Sequence, residues 1–206
     1  INTDVLIIGA GAGGTTAGVS ALEQGLSAVI IEKMPAIGGS GNYMEGTFAV
    51  GSYMQIRDNA GINAEKQVKI VMDFHHWRIN ADVLNYWLKR TASTIEWCEK
   101  HGVKFERVMT AFVDGNRTWH MFEGGHGSSL IKAFNQEFLA KGGKLYTETP
   151  AKSLIVKNGQ VVGAIAEDAG GEQITINAKA VIVATGGFPC NKEMIAKYLP
   201  YDGYLY

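Results

Sequence analysis

Val5–Ile8 is an uninterrupted apolar run of strand length, and Ala28–Ile31 is a second. Each run reads as a strand. Thr15–Gln24 between them reads as a helix, so the chain opens as a βαβ unit. Residues 34–52, MPAIGGSGNYMEGTFAVGS, form a loop rich in small residues. Two helices follow: 64–78, with Val68, Val71, Phe74 and Trp77 at spacing three, and 81–100, with Ala81, Leu84, Leu88, Thr91, Ile95 and Cys98 on one face. Gly102 and Gly115 bracket a short strand, Val103–Val108. A third helix spans Ser128–Ala140 with Leu130, Phe134 and Phe138 inward, and Gly142–Gly143 ends it. From Lys144 the period becomes two, giving strands at Lys144–Thr149, Lys152–Lys157, Gln160–Glu167, Gln173–Asn177 and Ala180–Ala184. Asn158–Gly159 is a type I′ hairpin signal, and Gly170–Gly171 marks another tight turn. Residues 151–177 therefore read as an antiparallel meander inserted between parallel strands.

The junction between the first strand and helix carries the chemistry. In VLIIGAGAGG, Gly9 permits a tight turn, Gly11 lets a pyrophosphate approach the backbone, and Gly14 lets the helix pack on the strand. The helix aims its unpaired N–H groups and positive dipole end at the phosphates. Glu32, eighteen positions past Gly14 at the tip of the second strand, is placed to accept hydrogen bonds from a ribose diol. An acid there repels a 2′-phosphate. Glycine triplets arise by chance in a chain with 26 glycines, but strand, helix and acid together make this a dinucleotide site.

Two further segments separate one dinucleotide from another. Gly38–Gly39 lets backbone pass close to the pyrophosphate and to the ribityl side of a cofactor larger than NAD. VIVATGGF at 181–188 brings small residues to the end of a parallel strand, where ligands of open α/β sheets bind.

Charge and cysteine content narrow the partners. Nineteen basic and twenty acidic residues among 206 give a net charge of −1, which offers no electrostatic case for nucleic acid. No apolar run approaches the roughly 18 residues of a membrane helix. Cys98 and Cys190 stand in no metal, haem or cluster spacing, and Cys98 reads as a core thiol. His75 and His76 are adjacent on a helix, point about 100° apart and form no metal site by themselves. His120 and His126 flank MFEGG; His126 lies near the cofactor or caps the helix at Ser128. Cys190 falls near the cofactor crevice, and Asp114–Gly115–Asn116 reads as a turn.

GAGxxG with Glu32, then Gly38–Gly39, the hairpin TPAKSLIVKNGQVVGAI and VIVATGGF resemble the fumarate reductase/succinate dehydrogenase flavoprotein superfamily. The likeness is greatest to its soluble flavocytochrome-c-like branch, which includes urocanate reductases and 3-ketosteroid Δ1-dehydrogenases. The resemblance covers nearly the whole chain and is strongest in 1–52 and 144–197. It implies extended FAD, with Gly9, Ala10, Gly11, Ala12, Gly13 and Gly14 on the pyrophosphate, Glu32 on the adenosine ribose and Lys33 beside it. Gly38, Gly39, Ser40, Gly46 and Thr47 would line the pyrophosphate and flavin. Ala151 would offer its backbone to adenine, and Ala184, Thr185 and Gly186 would flank the adenosine half. Members that tether FAD do so through a His in the loop after the glycine pair; residues 40–52 contain none, so FAD is expected to be non-covalent. Bulky Tyr43 and Phe48 set this loop apart from the usual Ser/Ala-rich form.

The expected fold is a three-layer α/β Rossmann-like FAD/NAD(P)-binding domain. A central parallel sheet carries helices on one face and the antiparallel β-meander on the other. The chain is expected to be a piece of a longer protein, with 1–187 the N-terminal portion of the FAD-binding domain and 188–206 the start of a connection to a substrate-capping domain. An exposed sheet edge is expected to drive self-association. The whole protein is expected to move a hydride between FAD and the C=C bond of a small unsaturated carboxylate, its catalytic residues lying in the continuation. The alternatives are a non-catalytic dinucleotide-binding module and, disfavoured by Gly38–Gly39 and ATGG, an NAD-binding dehydrogenase domain.

Overall fold

A computed structural model describes residues 1–60, 63–110 and 115–199. Strands β1 (Asn2–Ile8), β2 (Ala28–Ile31), β6 (Lys144–Tyr146), β7 (Ala151–Lys157), β8 (Gln160–Glu167) and β9 (Gln173–Val183) form one sheet in the order β6-β2-β1-β9-β8-β7. The four strands β6, β2, β1 and β9 run parallel, whereas β8 pairs antiparallel with both β9 and β7.

The apolar runs are explained by burial on both faces. Val5, Ile7, Ala28 and Ile30 face helices α1 (Ala12–Glu23) and α5 (Ser128–Ala140), meeting Val19, Leu130, Phe134 and Phe138. Leu6, Ile8, Val29 and Ile31 point the other way, onto Ala164, Ala166, Ile176 and Ala178 of the folded-over meander. Phe138 is fully buried in a slot made possible by small neighbours: a Cβ on Gly18 would lie 2.9 Å from its ring. Truncating such a phenylalanine costs about 3–5 kcal/mol.

The strands expected at Gln173–Asn177 and Ala180–Ala184 are one. Gln173–Asn177 pairs antiparallel with β8, and Asn177–Val183 pairs parallel with β1, so Asn177 is partnered on both sides. A single strand therefore carries the chain from meander to parallel sheet. The β7–β8 hairpin turns at Asn158 (φ 51°) and Gly159 (φ 76°), the two positive φ values of a type I′ turn. At the Gly170–Gly171 turn the Asp168 carboxylate accepts from the amides of Gly170 and Glu172.

A second, small antiparallel sheet, β3-β5-β4, is absent from the sequence reading. It combines β3 (Gly46–Phe48), β4 (Phe105–Thr110) and β5 (Arg117–Phe122). The expected strand Val103–Val108 falls mostly within β4. Inside the expected loop 34–52 lie a 3-10 turn, Gly39–Tyr43, and β3; the short helix α2 (Tyr53–Arg57) follows it. Helices α3 (Ala64–Phe74) and α4 (Ala81–Lys100) pack beside this sheet around Val50, Met72, Leu84 and Leu88.

The stripe read through 64–78 stops at the end of α3. Val68 and Val71 are half-buried, but Phe74 and Trp77 are each 64% exposed. Trp77 leaves the helix with φ 58°, and its indole donates to Asp73 at 2.8 Å. On α4, Leu84, Leu88, Thr91, Ile95 and Cys98 are buried as their spacing requires, while Ala81 is exposed.

Candidate functional site

The glycine turn after β1 is held by backbone on two sides. Gly38 N–H donates to the Ala10 carbonyl at 2.9 Å, and Gly11 and Gly38 form a parallel bridge. Ala184 N–H donates to the Ile8 carbonyl at 2.8 Å, carrying the end of β9 alongside. Side chains have no room at two positions. A Cβ on Gly9, where φ is +105°, would lie 2.5 Å from the Ala184 oxygen, and one on Gly14 would lie 1.8 Å from the Gly9 oxygen. The three glycine-rich segments separated in sequence are thus one backbone cluster.

Helix α1 begins within that cluster at Ala12, three residues before the expected start. Its first bond of this kind is from Thr15 N–H to the Gly11 carbonyl at 3.0 Å. Among the described residues no side chain caps this terminus, and its first turn holds no acid. Around Gly13 nothing would meet an added Cβ within 4 Å. An anion can therefore reach the first-turn amides and the positive end of the helix dipole.

Glu32 closes the other side. Its Oε2 accepts from Ala10 N–H at 2.8 Å and its Oε1 from Met34 N–H at 2.9 Å. The carboxylate thus shapes the glycine turn, and an ionised carboxylate has lone pairs left for a diol. The chain from Tyr146 to Thr149 runs beside it: Glu32 N–H donates to the Tyr146 carbonyl, and Thr149 N–H to the Glu32 carbonyl. This brings Ala151, at the start of β7, to the Glu32 end of the cluster. Lys33 is exposed, as are Thr185 and Gly186.

Gly39 and Ser40 begin the 3-10 turn that continues from Gly38. A Cβ on Gly41 would lie 3.1 Å from Ala12 N, and Gly41 O in turn abuts Gly127 at the start of α5. Asn42, within the turn, donates from Nδ2 to the Ile37 carbonyl at 2.9 Å. Gly46 and Thr47 stand apart, in β3, paired with Met121 and His120 of β5. They line a different space, an apolar cavity of about 440 Å³ between the small sheet, α3 and α4. No local sequence pattern reveals it, because its aromatic walls, Phe48, Phe74, Trp87 and Trp119, come from four elements.

The histidines take structural places. His120 is fully buried, with Nδ1 3.2 Å from the Thr118 carbonyl and Nε2 2.6 Å from Ser52 Oγ. With the Nδ1 proton on the carbonyl, Nε2 accepts from the serine. Ser52 Oγ accepts in turn from Gln55 N–H, and the Gln55 amide donates to the carbonyls of Ala49 and Arg117. Burial lowers the His120 pKa from its ordinary value. His126 is exposed; its carbonyl, not its ring, accepts from Ser129 Oγ. His75 and His76 are exposed, and the described residues contain no cluster of three or more metal-ligating side chains. Cys190 is exposed, whereas burial pushes the Cys98 thiol up to about 12. Asp114 of the expected turn lies outside the described residues.

Comparison with known proteins adds three findings. Residues 4–203 match the sequence model of the family described as FAD binding domain. The chain is 35% identical over 201 residues to a vinyl phenol reductase of Lactiplantibacillus plantarum, covering 97% of this chain and 41% of that protein. It is 31% identical over 205 residues to a urocanate reductase of Eggerthella lenta, covering 97% of this chain and 34% of that one. Among solved structures, the open conformation of a flavocytochrome c3 fumarate reductase superposes with a TM-score of 0.89 at 25% identity, over 97% of this chain and 36% of the other. The chain thus spans well under half of each of these relatives.

Proposed function

This chain belongs to the FAD-binding-domain family, and we propose that it forms the FAD cradle of a longer oxidoreductase. Residues 1–187 form the N-terminal portion of its FAD-binding domain, and 188–206 begin a connection to a substrate-capping domain. The observation that carries this reading is the uncapped N-terminus of α1, open at Gly13 and flanked by the Gly38 and Ala184 backbones. That arrangement fits a diphosphate.

Gly9, Ala10, Gly11, Ala12, Gly13 and Gly14 hold the pyrophosphate through backbone amides. Glu32 holds the adenosine ribose, with Lys33 beside it. Ala151 presents its backbone to adenine, while Ala184, Thr185 and Gly186 flank the adenosine half. Gly38, Gly39 and Ser40 pass the chain toward the flavin, which Gly46 and Thr47 approach. When bound, FAD supplies the hydride chemistry, and the protein orients it and excludes water. Residues 40–52 offer no histidine tether, so the cofactor is non-covalent.

The parent enzyme moves a hydride between FAD and a C=C bond of a small unsaturated substrate, with an unsaturated carboxylate as the first class to test. The named reductases of urocanate and fumarate among the similar proteins support that reading. FAD titration of Glu32→Ala tests the cradle. Loss of hydrogen bonds to a charged group predicts affinity about tenfold or more below the parent chain. Unchanged affinity would remove Glu32 from the site. Acid precipitation of loaded protein should leave the flavin in the supernatant; flavin in the pellet would show a covalent link.

A further inference from the structure

We infer that the cavity between α3, α4 and the small sheet is a subsite for a flat, uncharged ring conjugated to the substrate's C=C bond, an inference that rests on the flavin reading above. The volume of about 440 Å³ falls within the range of small-molecule sites. The walls are chiefly rings. Phe48 and Trp87 stack at 5.1 Å between centroids, and Trp119 and Phe74 complete the aromatic surface with Ile70, Val71 and Met44. Such walls favour a planar guest through edge and face contacts.

Charge complements the shape. None of the described residues lining the cavity is Lys, Arg, Asp or Glu, and His75 is the single titratable side chain among them. A dicarboxylate would lose water there without a fixed counter-charge, whereas an uncharged ring loses little. Gln67, 1% exposed, adds an amide to the lining, which also holds Thr47 and His75; its Oε1 accepts from Asn116 Nδ2 at 3.3 Å. Position ties the cavity to the reaction, because Gly46 and Thr47 belong to its wall and are the residues proposed to approach the flavin.

The test titrates the 206-residue chain, with and without FAD, with cinnamyl alcohol and separately with fumarate, following tryptophan emission and protein NMR shifts. Saturable binding of cinnamyl alcohol without binding of fumarate is expected. Phe74→Ala and Trp87→Leu should each weaken it about tenfold, while Trp77→Leu, outside the lining, leaves it unchanged. Phe74 is 64% exposed, so its truncation keeps the fold. Fumarate bound as tightly as the ring, or ring binding untouched by both lining variants, would overturn the inference. FAD retained with no ring binding would overturn the inference and leave the cradle standing. Ring binding without any FAD uptake would overturn the flavin reading and, with it, the cavity's role beside the flavin.

Discussion

Gly14 shows how one residue fixes the candidate site. A methyl group there would collide with the Gly9 carbonyl at 1.8 Å, so Gly14→Ala must separate α1 from the turn it caps. Overpacking of this kind costs about 1–3 kcal/mol. The variant should unfold several degrees lower in a thermal melt and fail to retain FAD; normal retention would contradict the proposed packing. His120 governs a pH response. Its burial lowers the folded-state pKa, while the unfolded chain takes up the proton near 6.5. Stability from the neutral ring is therefore complete above about pH 6.5 and falls as pH drops toward the lower folded value. Urea midpoints should decline from about pH 7.5 to about 5.5, and the decline should be smaller in His120→Gln. The glycines and Glu32 were legible in sequence because their task is local: tight turn, close approach, acid at a strand tip. His120 was not, because its partner Ser52 lies 68 positions away and only the fold brings them together.

At the scale of elements, three helices share one buried imidazole. His101, at the end of α4, hydrogen-bonds Glu137 of α5 through Nδ1 at 2.6 Å, while its Nε2 lies 3.0 Å from the Glu23 carboxylate of α1 without a hydrogen bond to it. Trp97 and Lys100 bind the Glu23 carboxylate, holding its pKa at about 2, mainly through the hydrogen bond from Lys100. His101→Ala removes the common partner and should cost about 1.5–3 kcal/mol in chemical denaturation; no loss would show that the imidazole does not join the helices. Periodicity revealed α4 and α5 with their boundaries, since each buries one continuous stripe. It found α3 but overran its end, because the apolar side chains there partly line an open cavity, and it missed β5. In RTWHMF a buried histidine interrupts the apolar alternation, and β3, at three residues, is too short to show any.

Over the whole molecule, the parallel sheet and meander are continuous through β9, and the three-layer plan follows from apolar side chains on both sides of β1 and β2. That plan was legible from the uninterrupted runs and the Asn158–Gly159 hairpin. The single β9 was not, because its polar residues around Asn177 read as a break. Among the described residues no helix is long and apolar enough to cross a membrane. Edge strand β7 leaves Leu154 45% and Val156 58% exposed, and we propose that it mediates association of this chain with itself. Light scattering should give a mass that rises with concentration; a monomer throughout would contradict it. The central claim, that these 206 residues cradle FAD, is tested most directly by adding FAD to the purified chain, desalting it and recording the visible spectrum. A retained flavin band, with NAD washed through under the same treatment, is the predicted result. A folded chain that loses FAD, or retains NAD in its place, would contradict the account.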